Sequence, residues 1–270
     1  MSKERKTGVR PKKRLGQHFL HDQHTAARIV DSLVKGPAPT LRLLEIGPGM
    51  GVLTRLLLAQ DGIDLTVIEI DRESVTYLKE NSVVAEDRII EGDFMKVDLT
   101  RVFSGHFSII GNFPYNISSQ IFFKVLDYRH QVDQVVCMLQ KEVAERIASP
   151  HGSKVYGILS VLLQAYYRIE FLFKVSPGVF TPPPKVMSAV IRLMRNDREH
   201  LPCDEKLFVL VVKQGFNNRR KTLRNALKNL NLAGAVSSLP LLDKRAEQLA
   251  VEDFIHLTRL IEESRAGIRH

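Results

Sequence analysis

Between residues 41 and 138, short apolar runs alternate with segments that carry apolar residues at helical spacing. The runs predict strands at Leu41–Ile46, Leu65–Ile70, Ile89–Asp93, 106–111 and 133–138. The segments between and beside them predict helices over 22–34, 52–59, 72–80, 118–127 and 138–148, with Asp22 capping the first. Strands that alternate with helices in this way point to an α/β fold, its sheet largely parallel and covered on both faces. Aromatic and β-branched residues become dense at 156–175, prolines stiffen Pro177–Lys185, and Val186–Met194 alternates as a final strand. The polar stretch Asn196–Asp204 predicts a linker, and 205–265 shows helical periodicity alone. Three parts are expected: a flexible basic arm at 1–14, a sheet domain at 15–197 and a small helical domain at 198–270.

The composition fits this picture without adding to it. The 270 residues are 44% hydrophobic and 26% charged, ordinary values for a soluble chain that builds its own core. Cys137 and Cys203 lie far apart and match no metal spacing. Cys137 sits in an apolar run and reads as a buried thiol, so a reducing, cytoplasmic setting is expected. No run approaches the roughly 18 apolar residues of a membrane helix, and the amino terminus lacks a signal-peptide pattern. Neither a membrane nor a metal therefore enters the reading.

Charge changes the picture. The net +9 is split: 1–14 carries +6 from seven basic residues and one acid, 15–197 carries −1, and 198–270 carries +4. A neutral body with positive ends suits a polyanion held outside a pocket. Simple solubility is the plainer account of the same charges.

Two motifs carry chemistry. Glu45-Ile-Gly-Pro-Gly-Met-Gly51 follows the first predicted strand, and its glycines let backbone approach a ligand closely. The pattern alone fits nicotinamide dinucleotides, flavins and S-adenosylmethionine. The third glycine of the dinucleotide pattern, counted from Gly47, would fall at Val52. Glu69 instead ends the second strand, where an acid accepts from ribose hydroxyls, and Asp93 ends the third, where it can accept from an adenine amino group. Three acids at successive strand ends favour S-adenosylmethionine.

The second motif, Asn112-Phe-Pro-Tyr115, follows the apolar run Phe107–Gly111. An adenine N6 is a poor nucleophile because its lone pair is delocalised into the ring. The Asn112 oxygen and a backbone carbonyl near Phe113 or Pro114 can accept its two hydrogens and aim the lone pair at a sulfonium methyl. Pro114 helps present that carbonyl, because its φ is fixed and it brings no competing N–H. Tyr115 can stack on the base, and Phe180, on its proline-stiffened loop, can form a second wall. Orientation and positioned dipoles would supply most of the rate. A packed strand-to-loop turn at 112–115 and a core Phe180 are the structural alternatives.

At this point the chain resembles the ribosomal RNA small-subunit adenine N6,N6-dimethyltransferases. The resemblance rests on Lys13-Arg-Leu-Gly-Gln-His-Phe-Leu20, the Glu45–Gly51 run, Val67-Ile-Glu-Ile-Asp71, Gly92-Asp-Phe94, Asn112-Phe-Pro-Tyr-Asn-Ile-Ser118, Val179-Phe-Thr-Pro-Pro-Pro-Lys-Val186 and Phe216–Ala226. It spans nearly the whole chain. It implies a Rossmann-like class I S-adenosylmethionine-dependent methyltransferase sheet with a small C-terminal all-helical domain. It implies four methyl transfers, to N6 of two adjacent adenosines in the 3′-terminal hairpin loop of 16S rRNA, during late small-subunit assembly. It implies His18, Leu20, Gly47, Glu69, Asp93 and Asn112 around the cofactor, with Tyr115, Pro114 and Phe180 at the target base. Relatives often carry Asn at the position of His18 and Leu at that of Phe113. The expected partner is the small ribosomal subunit precursor and its 16S rRNA, met by a monomer through Arg10, Lys12, Lys13, Arg14, Lys185, Arg219, Arg220, Lys221 and Arg224. Helical spacing would put Arg220 and Arg224 on one face, and such contacts position rather than specify. Three rivals remain: a DNA adenine methyltransferase, a large-subunit rRNA dimethyltransferase, and an assembly checkpoint that acts by binding.

Overall fold

The computed structural model describes residues 9–230, 232 and 234–267. In chain order its elements are β1 (Phe19–Leu20), α1 (Gln23–Val30), β2 (Leu41–Ile46), α2 (Val52–Leu58), β3 (Ile63–Glu69), α3 (Arg72–Glu80), β4 (Ile89–Glu91), α4 (Leu99–Val102), β5 (Phe107–Asn112), α5 (Ser118–Asp127) and β6 (Val132–Gln140). There follow α6 (Lys141–Ala148), α7 (Ile158–Gln164), β7 (Tyr167–Val175), β8 (Phe180–Thr181), β9 (Ser188–Arg195), α8 (Glu205–Asn217), α9 (Leu223–Ala226) and α10 (Val251–Gly267).

Seven strands form one sheet in the order β4-β3-β2-β5-β6-β9-β7. The pairs β3–β4, β2–β3, β2–β5 and β5–β6 are parallel, and β9 runs antiparallel to β6. The chain starts in the middle at β2, winds outward to β4, then crosses back to β5. The carboxyl ends of β2 and β5 are therefore the switch point where such sheets leave a crevice. The central strands read as continuous apolar runs because both faces are covered: Leu43, Val67, Ile110, Val136 and Val190 share one core with Ala26 and Ile29 of α1 and Leu53 and Leu57 of α2.

Asp22 caps α1 as expected, accepting from the Thr25 N–H at 2.7 Å, a contact worth about 1 kcal/mol. The helix stops at Val30 rather than 34, because Asp31 and Ser32 turn the chain and the Ser32 hydroxyl bonds back to the Arg28 carbonyl. Within the aromatic stretch 156–175, residues 158–164 are helical. Leu159, Ser160, Val161, Leu162 and Leu163 are all buried there, so periodicity gave no signal of helix against strand. The pairing of β1 with β8, Leu20 opposite Phe180, was not foreseen.

The described residues form two compact units: those up to 144 with 170–195, and 145–169 with those from 196 onward. The division is not a single cut, since 145–169 belongs to the second unit. That unit packs α7, α8 and α10 around Phe208, Phe216, Phe254 and Tyr156, with Phe216 stacked on Phe254 at 6.0 Å. Its middle is not regular helix: between α8 and α10 the chain makes α9 and several single 3₁₀ turns. Residues 1–8 of the expected arm lie outside the described residues. Lys12 to Leu15 are held against the first unit by a 3₁₀ turn and an ion pair given below.

No described helix is long and apolar enough to cross a membrane, and the described residues contain no cluster of three metal-ligating side chains.

Candidate active site

A cavity of about 300 Å³ opens at the carboxyl ends of β2, β3, β4 and β5, within the range of roughly 300–1,000 Å³ typical of small-molecule sites. Gly47 and Gly49 follow β2 with φ of 67° and 56°, the left-handed region that disfavours side chains. A Cβ at Gly49 would meet the Phe19 ring at 2.9 Å, whereas at Gly47 it would enter open space. Backbone thus forms the cavity floor at Gly47, and at Gly92, where a Cβ also meets nothing within 4 Å.

The three acids sit at three strand ends but do different things. Glu69 is buried on the cavity wall and accepts the Gly49 N–H at 3.1 Å and the Asp71 N–H at 2.9 Å. Burial raises its carboxyl above the usual range, with the Asp71 and Gly49 N–H groups opposing. Each oxygen keeps a lone pair for a donor such as a ribose hydroxyl. Asp93 spends one oxygen on the Met95 N–H at 2.9 Å, which fixes the turn 94–96 and leaves the other oxygen for the cavity. Glu45 does not line this cavity; it is buried behind it and accepts from the Thr54 hydroxyl at 2.7 Å. Burial pushes its carboxyl up to about 8, opposed by Thr54 and assisted by Glu69.

The open backbone at Gly47 and Gly92, the acceptors at Glu69 and Asp93, and the apolar wall suit S-adenosylmethionine: a ribose, an adenine amino group, a flat ring and a cation. Ile70, 49% exposed, offers that wall beside Glu69. Sequence reasoning missed Ile70, Phe19, Met95 and Gln120 on the lining. Phe19 and Ile70 lie inside matched runs, and Met95 and Gln120 stand one and two residues beyond such runs, so position was their only signal.

The Asn112–Tyr115 end of the cavity is pinned from far along the chain. The Asn112 amide NH₂ donates to the His18 carbonyl at 2.9 Å. Only the nitrogen can serve a carbonyl, so the amide orientation is set and its oxygen is left for another donor. The Pro114 carbonyl already accepts from the Ile117 N–H at 3.2 Å. That leaves the Phe113 carbonyl, of the two considered, as the one not already used by the turn. The Phe113 ring points inward, buried and edge-on to Phe122. The Tyr115 hydroxyl bonds to Ser188 on β9, and its ring stacks on His18 at 5.3 Å. The His18 Nδ1 in turn lies 2.8 Å from the Pro182 carbonyl.

Several expected residues lie elsewhere. Phe180 is not on the cavity wall: it is 2% exposed and packed in the core opposite Leu20. In this conformation the ring facing Tyr115 is His18, so the second-wall expectation is corrected. Leu20 is likewise buried; it reaches only a small recess of about 30 Å³ beside Gly47 and Asn112. Lys12 is not free for RNA. It pairs with the buried Asp71 and with Glu73 at 3.1 Å, and Gln17 joins Asp71 at 3.2 Å, so the segment before β1 is tied to the end of β3. Arg10, Lys13, Arg14 and Lys185 are exposed.

In the second unit α8 ends at Asn217 and α9 starts at Leu223, so Arg220 and Arg224 share no helix face. The asparagines at 217 and 218 break the periodicity. Arg224 pairs with Asp243 at 2.8 Å and with the Ser237 carbonyl. Arg219 donates to the carbonyls of Lys154 and Tyr156. Arg220 and Lys221 stay exposed. An open hollow of about 610 Å³ is lined by Lys154, Arg219, Arg220 and Arg245 together with Glu247.

Residues 8–263 match the family model described as ribosomal RNA adenine dimethylase. Ribosomal RNA small subunit methyltransferase A of Cytophaga hutchinsonii is 58% identical over 94% of this chain and 98% of its own length. The protein of the same name from Parabacteroides distasonis is 58% identical over 96% and 98%. Among solved structures, a dimethyladenosine transferase from Plasmodium falciparum superposes with a TM-score of 0.74 at 23% identity, covering 93% of this chain and 98% of its own. The 23S rRNA methyltransferase ErmE gives 0.66 at 24% identity, covering 89% and 99%. At these identities the two structures speak for the fold alone.

Proposed function

The chain belongs to the ribosomal RNA adenine dimethylase family, and from that premise we propose how its residues carry out the reaction and what they meet. It is an S-adenosylmethionine-dependent methyltransferase that dimethylates N6 of two adjacent adenosines in 16S rRNA. The substrate is the 3′-terminal hairpin loop, presented on a small-subunit precursor late in its assembly, and a single copy of the chain acts in the cytoplasm.

The observation that carries the mechanistic reading is the Asn112 amide, turned by the His18 carbonyl so that its oxygen is an acceptor beside the cavity. S-adenosylmethionine supplies an electrophilic methyl when bound. Glu69 holds its ribose, Asp93 its adenine amino group, and Gly47 gives its methionine part close approach. Asn112 Oδ1 and the Phe113 carbonyl accept the two N6 hydrogens and direct the nitrogen lone pair toward the cofactor end. Tyr115, anchored by Ser188, offers its ring face to the base once His18 swings aside. The alkylated nitrogen is acidic and needs no strong base. A monomethylated N6 keeps one hydrogen, so the second transfer proceeds with one of the two acceptors released. Arg10, Lys13, Arg14, Lys185, Arg220 and Lys221 are exposed cations that meet rRNA phosphates in this reading.

Labelled methyl transfer to unmethylated small-subunit particles, large-subunit RNA and duplex DNA, followed by nucleoside mass spectrometry, tests this. Dimethyladenosine is expected in the small-subunit rRNA. Label found only in DNA or large-subunit RNA would overturn it.

A further inference from the structure

Resting on the reading of Asp93 as the group that holds the cofactor adenine, we propose that Lys124 is a positioning residue that sets the Asp93 turn from the helix behind the target-base loop. Lys124 lies on α5, which begins three residues after the Asn112–Tyr115 run. It is 6% exposed, unusual for a lysine. Its ammonium donates to the carbonyls of Phe94 and Val97, the first residue of the 94–96 turn and the residue just after it. It also sits over the Phe94 ring at 4.9 Å and near the Tyr128 ring at 5.8 Å.

A buried ammonium is stable only where its donors are met, and here the donors meet the turn that carries Asp93. Burial pulls its proton affinity below the ordinary lysine range, while Asp93, Asp98 and Asp127 oppose that shift. Gly92, Asp93, Phe94 and Met95 form one wall of the cavity, and Ile117 and Gln120 of the adjoining segment and α5 form another. Lys124 is one turn beyond Gln120 on the same face. It therefore bolts the adenine wall to the helix that continues from the target-base loop. The turn's own bonds, Met95 N–H to Asp93 and Lys96 N–H to the Asp93 carbonyl at 2.9 Å each, hold its shape. Lys124 holds its place.

A residue that merely stabilises the fold would weaken all ligands alike. One that aims Asp93 sets the preference for an adenine amino group. The test is calorimetric affinity of the full chain for S-adenosylhomocysteine and for S-inosylhomocysteine, which lacks that amino group. Loss of one oriented hydrogen bond corresponds to about tenfold in affinity. Lys124→Met is expected to lose most of the wild-type preference, with Lys124→Arg restoring part of it through its two-sided donor head. If Lys124→Met does not fold, Lys124→Gln, which keeps a donor for one carbonyl, is read in the same way. An unchanged preference in either folded variant overturns the proposal, as does failure of both to fold. Asp93→Ala separates the premise: a preference that survives it sinks the Asp93 reading itself, whereas a preference lost in Asp93→Ala and kept in Lys124→Met sinks only the role of Lys124.

Discussion

The two ends of the cavity are built by different means. The cofactor end consists of groups placed by the strands that carry them: Gly47 follows one strand, Glu69 ends another and Asp93 follows a third, with Glu69 held by the Gly49 and Asp71 N–H groups and Asp93 by that of Met95. The target end depends on bonds between distant parts of the chain, Asn112 to His18 across 94 positions and Tyr115 to Ser188 across 73. The first end needs only a correctly wound sheet. The second also needs the segment 17–20 and β9 to arrive in register. Binding should therefore tolerate damage that abolishes transfer.

The largest expected effect separates the two ends at once. Asn112→Ala should lower the single-turnover methyl-transfer rate by about 10²–10³, the cost of removing one positioned dipole. A fall of less than tenfold would move the amine-orienting role elsewhere. Glu69→Ala should act on the other end. Its KM for S-adenosylmethionine should rise about 10- to 100-fold, from roughly 1.5–3 kcal/mol of charge-assisted hydrogen bonding, with the rate at saturation changing little. A collapse of the saturated rate with KM unchanged would contradict the division.

Buried Glu45 gives the sheet end a pH signature. Its carboxyl is raised from 4.5 to about 8, so the folded state holds a proton that the unfolded state has lost. The stability this contributes is full below pH 4.5 and is lost as pH rises toward 8, at up to about 1.4 kcal/mol per unit. Glu69, also raised, adds in the same direction. Thermal melts should fall between pH 5 and 8, and Glu45→Gln should flatten that slope. A wild-type melting temperature that climbs through this window would refute the assignment.

Smaller effects probe the long-range ties. Ser188→Ala removes the partner of the Tyr115 hydroxyl and should slow transfer about two- to tenfold, with cofactor affinity unchanged; equal losses in both would show that β9 serves the whole cavity. Lys12→Ala should leave the salt dependence of rRNA binding as it is, because its ammonium is already paired with Asp71. Arg220→Ala should flatten the plot of log affinity against log salt by about 0.7–0.9. The reverse pattern would restore Lys12 to the RNA surface.

This contrast also explains what the sequence made legible. Helices 72–80 and 118–127 were readable to the residue, since each follows a strand and carries regular apolar spacing. That Glu69, Asp93 and Asn112 would line one cavity was readable, because a parallel sheet brings its strand ends together. The pairing of Phe19–Leu20 with Phe180–Thr181 was not, because two-residue strands leave no periodic pattern. It is this pairing that buries Phe180 and leaves His18 facing Tyr115. Lys12 and Arg224 were misjudged for another reason: a charge run shows the cations but not which acid, Asp71 or Asp243, the fold brings beside each.

The affinity of Asn112→Ala for S-adenosylhomocysteine tests the separation of the two ends most directly. Measured by calorimetry on a folded variant, it should stay within about fivefold of wild type, the ~1 kcal/mol of the single neutral hydrogen bond lost to His18. A loss of affinity as large as the loss of transfer rate would contradict it, and would mean that one interdependent structure serves both ends.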